Sequence, residues 1–138
     1  MIAIRRGGAA DLDAVAAIQQ ASPAAAHWNV VDYLAQDFLV AVDGNRVVGF
    51  LVMRTVADGE REILNLAVSP DFRRKGVARR LFQYTVENFF GDVFLEVRES
   101  NEAAIRFYKS LNFQVVITRV GYYDAPPETA IVMKFHSC

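Results

Sequence analysis

Short runs of apolar residues, either alternating with polar ones or unbroken, predict seven β-strands along this chain. The predicted strands are 2–6, 38–42, 46–54, 60–68, 93–97, 113–122 and 130–135. Turn residues separate them, with Asp-Gly-Asn at 43–45, Asp-Gly at 58–59, and a turn containing Pro126 and Pro127 before the last strand. Because an Asp-Gly pair between apolar runs is typical of a hairpin, we expect the second and third strands to pair.

Apolar residues spaced three and four positions apart predict helices between these strands. Leu12, Val15 and Ala16 share one face of a first helix that extends to about residue 20, and a second, short helix is expected over 30–36. A third helix begins near residue 78, and a fourth is capped at residue 100 or 101 and ends near residue 111. The apolar stripe of the third helix consists of Leu81, Phe82, Val86 and Phe89.

The order of these elements, β α α β β β α β α β β, predicts the fold class. It is typical of an α/β (α+β) fold in which helices cover both faces of a mixed central sheet of about seven strands. With 138 residues, 53% of them hydrophobic and 22% charged, the chain can close a substantial core. We find no internal repeat and no linker, and therefore expect a single domain over residues 1–138.

Charge and cysteine content narrow the classes of function. A formal net charge of −1 disfavours a general nucleic-acid-binding surface, and the single cysteine, Cys138, favours a reducing cytoplasm because it has no internal partner. The longest apolar run, 47–53, is too short to span a bilayer. His27 and His136 have no partner at metal-ligand spacing, so we expect no metal site. These features predict a cytoplasmic protein without a membrane or nucleic-acid partner.

Positive charge is concentrated between the fourth strand and the third helix. We call residues 69–76 the basic loop, and two further cations follow it at the start of the helix. Five cations crowd this helix N-terminus, namely Arg73, Arg74, Lys75, Arg79 and Arg80. Each opposes the helix dipole, at a cost of a few tenths of a kcal/mol to about 1. A bound anion would compensate them, because N–H groups at a helix start bind phosphate and Gly76 has no side chain to obstruct it. The alternative is a solvated basic patch.

Arg73, Gly76 and Ala78 match a short signature of Gln or Arg, two residues of any kind, Gly, any residue, and Gly or Ala. This signature resembles the pyrophosphate-binding loop of the GNAT superfamily of N-acetyltransferases, whose mostly antiparallel sheet also fits the predicted order of elements. The resemblance implies acetyl-coenzyme A as cofactor and coenzyme A as product. It also implies that the fourth strand pairs with the pantetheine arm and that a backbone N–H near Val68 stabilises the oxyanion. The implied cofactor-binding residues are Leu66, Ala67, Val68, Arg73, Arg74, Lys75, Gly76, Val77, Ala78, Arg79 and Asn101.

Two later segments carry a more specific similarity. Residues 95–101 (Leu-Glu-Val-Arg-Glu-Ser-Asn) and 105–113 resemble the corresponding segments of bacterial ribosomal-protein-alanine N-acetyltransferases, which acetylate protein N-termini. In that family the strand glutamate is the general base and the helix tyrosine is the general acid, and by position these roles fall on Glu96 and Tyr108. Helical spacing also places Asn101 on the same face as Tyr108. A phenol with a pKa of about 10 can donate a proton to a leaving thiolate.

Three aromatic residues are candidates for binding the acceptor. Trp28 either lines an acceptor groove or fixes the second helix to the sheet, while Tyr122 and Tyr123 either flank a peptide entrance or are ordinary sheet aromatics. The hairpin after Tyr123 resembles the family's hairpin but is shorter, with Asp124 and Thr129 in place of a proline and an aspartate. These departures concern the choice of acceptor and leave the cofactor segments unchanged.

The residues and the resemblance together predict an N-acetyltransferase that passes an acetyl group directly from acetyl-coenzyme A to a primary amine. The second similarity implies a protein N-terminal α-amine, with a ribosomal protein among the candidate partners. An α-amine, with a pKa of about 7.7 to 8.0, loses its proton more easily than a lysine, with a pKa of about 10.4. No cysteine nucleophile lies in the proposed site, which favours direct transfer. The alternatives are transfer to a small-molecule amine, a noncatalytic acyl-coenzyme A sensor, and an RNA-binding module that uses the basic loop.

Overall fold

The computed structural model describes residues 1–22, 25–87, 89–124 and 127–137 and contains, within them, seven strands and three α-helices. The strands are β1 Ile2–Arg6, β2 Asp37–Asp43, β3 Arg46–Ala57, β4 Glu60–Val68, β5 Gly91–Arg98, β6 Gln114–Asp124 and β7 Pro127–Ser137. The α-helices are α1 Leu12–Gln20, α2 Val77–Val86 and α3 Glu102–Ser110, and three 3-10 segments are Ala9–Asp11, Val30–Ala35 and Pro70–Phe72. Cys138 and Pro126 lie outside the described residues.

The strands form one sheet in the order β1-β2-β3-β4-β5-β7-β6. The β1–β2, β2–β3, β5–β7 and β6–β7 pairs are antiparallel. β4 and β5 pair in parallel, with residues 60–62 opposite 92–94. This mixed, mostly antiparallel sheet of seven strands confirms the predicted fold class and the hairpin between the second and third strands.

Internal packing divides the chain into two compact units. Unit 1 consists of residues 1–54 and 63–88, and unit 2 consists of residues 55–62 and 89–138. Each unit has buried apolar side chains of its own. The single domain expected over 1–138 stays a prediction.

The core of unit 1 lies between helices and the first strands of the sheet. Its main cluster consists of Val15, Ile18, Tyr33, Phe38, Val40, Val42, Phe50, Val52 and Ala67. Because side chains alternate along a strand, α1 covers the face of β3 that carries Phe50 and Val52. The opposite face meets α2 at Gly49, where a Cβ would lie 3.1 Å from Val77 Cγ1 and 3.3 Å from the Ala67 carbonyl oxygen. Helices therefore pack on both faces of the sheet, as predicted.

The core of unit 2 is built on β5 and three aromatic rings. β5 alternates buried and exposed positions, with Leu95 and its second neighbours buried and Glu96 exposed. The ring of Phe113 lies 5.4 Å from that of Tyr108 and 5.6 Å from that of Phe135, measured between centroids. At the start of β5, a Cβ on Gly91 would lie 2.2 Å from the carbonyl oxygen of Gly59, so only glycine fits there.

The third predicted helix is shorter than expected. α2 ends at Val86, because Glu87 has extended backbone angles (φ −60°, ψ 125°), whereas the apolar stripe predicted that it continues to Phe89. The Phe89 ring instead lies in unit 2 with the guanidinium carbon of Arg61 4.1 Å from its centroid. The spacing of apolar residues cannot distinguish an aromatic residue within a helix from one that follows the helix and packs against a cation, as Phe89 does against Arg61.

Several strand ends also differ from the prediction. β3 extends to Ala57, and β5 already begins at Gly91, where a helix stop was expected. β7 begins at Pro127, opposite Asp124, although Pro127 was assigned to the turn. The first residue of a strand is a position where proline is tolerated, because the missing N–H need not enter the ladder. The second predicted helix is a 3-10 segment, Val30–Ala35.

Neither a membrane-spanning helix nor a metal cluster occurs among the described residues. No helix there combines the length and apolar character that a bilayer span requires. The same residues contain no group of three or more His, Cys, Asp or Glu side chains that could hold a metal ion.

Candidate active site

The basic loop joins β4 to α2 through two left-handed residues. The chain leaves β4 at Val68, makes the 3-10 turn over 70–72, and passes through positive φ at Arg74 (62°) and Gly76 (78°). Gly76 is the N-cap of α2. A Cβ on Gly76 would meet no heavy atom within 4 Å, so the space beside this N-cap residue is open. The first N–H groups of a helix have no intrahelical partner and are available to bind an anion.

Two of the five predicted cations are bound to the protein backbone. Arg73 donates from Nε to the Val68 carbonyl (3.2 Å) and from Nη2 to the Ala21 carbonyl (3.2 Å), and Arg80 donates to the Ile2 carbonyl. Arg73 thus ties the basic loop to the end of α1. Arg74 and Lys75 are exposed, and the Lys75 ammonium lies 5.2 Å from the Phe72 ring centroid. These two side chains remain the better placed of the loop cations to meet an anion.

A buried polar network holds the segment after α1 against β4. The Tyr33 hydroxyl donates to Gln19 Oε1 (2.6 Å), and Gln19 Nε2 donates to the Trp28 carbonyl (2.7 Å). Asn65 Nδ2 donates to the Ala26 carbonyl (2.8 Å) and contacts the Tyr33 hydroxyl (3.0 Å). The network fixes the strand position immediately before Leu66–Val68. Sequence reasoning missed it, although an amide within the apolar strand run 63–68 was the signal.

Beside this network lies an open groove of about 750 Å³ in unit 1. Its lining residues are Trp28, Val31, Asp32, Tyr33, Leu34, Ala35, Gln36 and Leu64. Trp28 is 48% exposed, and Val31 and Leu34 are exposed to similar degrees. Trp28 therefore lines a groove, and both of its predicted roles stay predictions.

Glu96 and Tyr123 are brought together in unit 2. Glu96 is exposed on β5, and its Oε1 accepts a hydrogen bond from the Tyr123 hydroxyl at 2.7 Å. Burial and this hydrogen bond to the carboxylate raise the pKa of Tyr123 to about 12. The phenol therefore stays protonated and donates to Glu96 throughout the neutral range. Tyr122 packs edge-on against Tyr123, with 5.3 Å between ring centroids, and is half exposed.

Arg98 and Glu128 complete this group of side chains, and sequence reasoning did not single them out. The Arg98 guanidinium carbon lies 3.9 Å from the Tyr123 ring centroid, and Arg98 Nη1 donates to Glu128 Oε2 at 3.2 Å. Glu128 Oε1 accepts from the Ser100 backbone N–H at 2.7 Å. Hydrogen bonds from Ser100, followed by the Arg98 guanidinium, hold the pKa of Glu128 below its usual range. The signal was the spacing of Glu96 and Arg98, two residues apart on one strand face.

Tyr108 and Asn101 occupy the helix that follows. Tyr108 is buried, with its ring 5.3 Å from that of Phe107 and 5.4 Å from that of Phe113, and burial raises the pKa of its phenol well above the usual value. Asn101 is the N-cap of α3, where its Oδ1 accepts from the Ala104 N–H at 3.2 Å. The cap predicted at residue 100 or 101 is thus Asn101, whose amide oxygen serves the helix itself.

Comparisons with known proteins agree with this fold. The sequence model described as "Acetyltransferase (GNAT) family" matches residues 12–113. The chain is similar to the [Ribosomal protein bS18]-alanine N-acetyltransferase of Salmonella typhimurium, at 37% identity over 95 residues that cover 64% of each chain. The match thus spans less than two thirds, 64%, of that relative's length.

Two solved structures extend the similarity over almost the whole chain. The ribosomal-protein-S18-alanine N-acetyltransferase from Escherichia coli superposes with a TM-score of 0.82 at 28% identity, covering 99% of this chain and 94% of that one. Ard1 from Thermoplasma volcanium superposes with a TM-score of 0.86 at 29% identity, covering 99% and 98%. The predicted resemblance to the GNAT superfamily and to bacterial ribosomal-protein-alanine N-acetyltransferases is confirmed. The chain belongs to the Acetyltransferase (GNAT) family.

Proposed function

We propose that this protein is an acetyl-coenzyme A-dependent N-acetyltransferase whose acceptor is the α-amine at a protein N-terminus. The observation that carries the proposal is the start of α2, where the N-cap Gly76 adopts φ +78° and the space beside it is open. A diphosphate fits such a site, because the donors and the helix dipole both favour negative charge. We assign it to residues 73–79.

Acetyl-coenzyme A would supply the thioester-activated acetyl group. We assign the approach of its pantetheine arm to the backbone of Leu66, Ala67 and Val68, as an added strand would pair. Arg74 and Lys75, both exposed, are assigned to the diphosphate, while Arg73 shapes the loop through its bond to the Val68 carbonyl. Asn101 is assigned to the cofactor through its position at the start of α3, the helix that carries Tyr108.

Glu96 and Tyr108 are the proposed catalytic residues. The exposed Glu96 carboxylate accepts the proton that an N-terminal amine must lose before it can attack. The pKa of an α-amine is about 7.7 to 8.0, close to neutral pH, so one carboxylate suffices to take up its proton. A phenol holds its proton at neutral pH, and we assign to Tyr108 Oη the proton that the leaving sulfur takes up. Burial raises the pKa of the Tyr108 phenol, and desolvation of a leaving thiolate would raise the pKa of its thiol in the same way, so that the two effects offset each other.

The acceptor is proposed to contact Trp28, Tyr122 and Tyr123. Trp28 and Tyr122 are about half exposed, at 48% and 50%, and therefore accessible to a polypeptide chain. Two of the relatives are named as ribosomal-protein-alanine N-acetyltransferases, which supports a protein N-terminus as the acceptor of this chain. A ribosomal protein is therefore the first candidate acceptor. We place the reaction in the cytoplasm, where such N-termini emerge.

Calorimetry and turnover measurements test the proposal in two steps. The folded protein is titrated with acetyl-coenzyme A and coenzyme A, and thiol release is then followed with matched acceptors. These are a peptide with a free N-terminal alanine, the same peptide with a blocked N-terminus and an internal lysine, free amino acids, and a polyamine. We expect heat of binding for both cofactor forms and turnover with the free N-terminal peptide alone.

Each other result selects an alternative. Binding without turnover on any acceptor indicates a noncatalytic acyl-coenzyme A sensor, and turnover with a free amine alone indicates a small-molecule acetyltransferase. No heat with either cofactor form contradicts the proposal, as does salt-sensitive RNA binding that acetyl-coenzyme A leaves unchanged. Mass spectrometry of cellular N-termini with and without the protein then identifies the acceptor.

A further inference from the structure

A chain of contacts in unit 2 joins the proposed base to the start of α3. Tyr123 Oη donates to Glu96 Oε1 at 2.7 Å, and the guanidinium carbon of Arg98 lies 3.9 Å from the Tyr123 ring centroid. Arg98 Nη1 donates to Glu128 Oε2 at 3.2 Å, and Glu128 Oε1 accepts from the Ser100 N–H at 2.7 Å. One carboxylate therefore holds both the guanidinium over the Tyr123 ring and the turn from which α3 begins.

Strand register places these side chains on one face of the sheet. Glu96 and Arg98 are two residues apart on β5, and side chains with that spacing point to the same face. Arg98 lies opposite Ala130 of β7, and Tyr123 of β6 lies opposite Glu128 of β7. A planar cation over the ring and a hydrogen bond at the ring's tip together restrict both side-chain torsions of the tyrosine.

The contacts suit a directing role better than a stabilising one. The Arg98 side chain is 44% exposed in its ion pair with Glu128, and ion pairs at such exposure contribute little to folding. Glu96 is itself exposed, so its carboxylate and the Tyr123 hydroxyl could each be satisfied by water. What the set adds is a fixed orientation: Glu96 Oε1 is held by Tyr123, and within the described residues Oε2 accepts no hydrogen bond.

We propose that Arg98, held by Glu128, is a positioning residue that fixes the Tyr123 phenol against Glu96 and so orients the carboxylate for the acceptor amine. This inference rests on the proposed function, which makes Glu96 the general base. Arg98 acts through Tyr123 and touches no reacting atom. Its loss therefore slows proton removal from the amine while cofactor and acceptor still bind.

A double-mutant cycle tests this role. Arg98→Met keeps the length of the side chain and removes its planar cation, whereas Tyr123→Phe keeps the ring and removes the hydroxyl. We measure kcat and KM with a peptide bearing a free N-terminal alanine, and coenzyme A affinity by calorimetry, for both single variants and the double variant. Each single variant is expected to lower kcat about tenfold, and KM and coenzyme A affinity to stay within about twofold. The double variant should be no slower than the slower single variant.

Two further variants separate positioning from general effects. Lys134→Met is the matched control, because Lys134 also pairs with a carboxylate, Asp92 (3.4 Å), and lies over a ring, Phe94 (5.9 Å). These residues belong to the same two strands, β5 and β7, and the control should retain the wild-type kcat. Glu128→Gln keeps an acceptor for the Ser100 N–H but weakens the pair with Arg98. It should lower kcat without raising KM even if Arg98→Met fails to fold.

The outcomes are distinct. A shared loss of kcat in the Arg98, Tyr123 and double variants, with Lys134→Met unchanged, supports the positioning role. Losses that multiply in the double variant, a wild-type kcat in Arg98→Met, or a change confined to KM overturn this role and leave the proposed function standing. If folded wild-type protein binds coenzyme A but shows no turnover, both the proposed transfer and the positioning role are overturned.

Discussion

Two phenols in unit 2 illustrate how surroundings set the chemistry of a residue type. Tyr108 is enclosed by the Phe107 and Phe113 rings, whereas the Tyr123 hydroxyl donates to Glu96 at 2.7 Å. Burial raises the pKa of both phenols, that of Tyr123 to about 12, so both keep their protons at neutral pH. Tyr123 directs its proton at a carboxylate, and Tyr108 is the phenol to which we assign proton donation.

Replacing Tyr108 by phenylalanine tests the proposed general acid. Tyr108→Phe keeps the ring that packs against Phe113 and removes the hydroxyl, so we expect kcat to fall about 100-fold or more while coenzyme A affinity is retained. Thiol release gives kcat and calorimetry gives the affinity. Tyr84→Phe, at a half-exposed position on α2, is the control and should behave like wild type. Unchanged turnover in Tyr108→Phe removes this residue from the mechanism.

Replacing Glu96 by glutamine tests the proposed base through pH. An acceptor α-amine, with a pKa of about 7.7 to 8.0, is increasingly protonated as pH falls, so a base is needed most at low pH. The activity ratio of wild type to Glu96→Gln should therefore grow as pH is lowered from about 9 to about 6.5. Rates across this range measure it, with the exposed neighbour Glu99→Gln as control. Parallel profiles for wild type and Glu96→Gln would dismiss Glu96 as base.

At the scale of elements, the sequence predicted most helices and strands but not all of their ends. β1, α1 and β4 have the predicted bounds, because turn or capping residues adjoin them. α2 ended three residues early, since the pattern could not distinguish Phe89 in a helix from Phe89 beneath Arg61. Such ends depend on partners that are distant along the chain.

The role of Gly76 at the start of α2 can be tested against a second left-handed glycine, Gly44. Gly76 (φ +78°) and Gly44 (φ +61°) are both left-handed, and a Cβ at either would meet no atom within 4 Å. Alanine at either position should therefore lower the free energy of unfolding by about 1 kcal/mol. Only Gly76→Ala should also weaken coenzyme A binding, by about tenfold or more, because its methyl group occupies the proposed diphosphate position.

Urea unfolding and calorimetric titration of both glycine variants measure these effects. Gly44 lies in the turn between β2 and β3, so its substitution reports the backbone cost alone. Equal coenzyme A affinities in the two variants would place the diphosphate elsewhere.

At the scale of the whole molecule, short sequence segments predicted the candidate site residues, but not the long-range contacts that hold such residues in place. Glu96 and Tyr108 could be proposed from short segments, and these roles stay predictions. The Arg98–Glu128 pair could not be predicted in this way, because the two residues are 30 positions apart and their contact depends on the register of β5 with β7. The bond from Asn65 to the Ala26 carbonyl spans 39 positions for the same reason.

Alkaline pH should destabilise the whole molecule through three phenols that are buried or partly buried. Burial raises the pKa of Tyr33, Tyr108 and Tyr123 above the usual value of about 10, which the unfolded chain retains. Between about pH 10 and the higher folded pKa, the folded state binds more protons than the unfolded state. Stability is therefore complete below about pH 10 and falls as pH rises, by up to about 1.4 kcal/mol per pH unit for each such phenol.

Tyr108→Phe isolates one share of this loss, because a phenylalanine cannot ionise in either state. The free energy of unfolding of wild type and variant is measured in urea from about pH 9 to pH 11.5. Lysines titrate in this range too, but they contribute equally to both proteins, so the difference between the two curves reports Tyr108 alone. That difference should be constant below about pH 10 and then shift in favour of the variant as pH rises. Curves that stay parallel to pH 11.5 would show that burial does not hold the Tyr108 proton in the folded state.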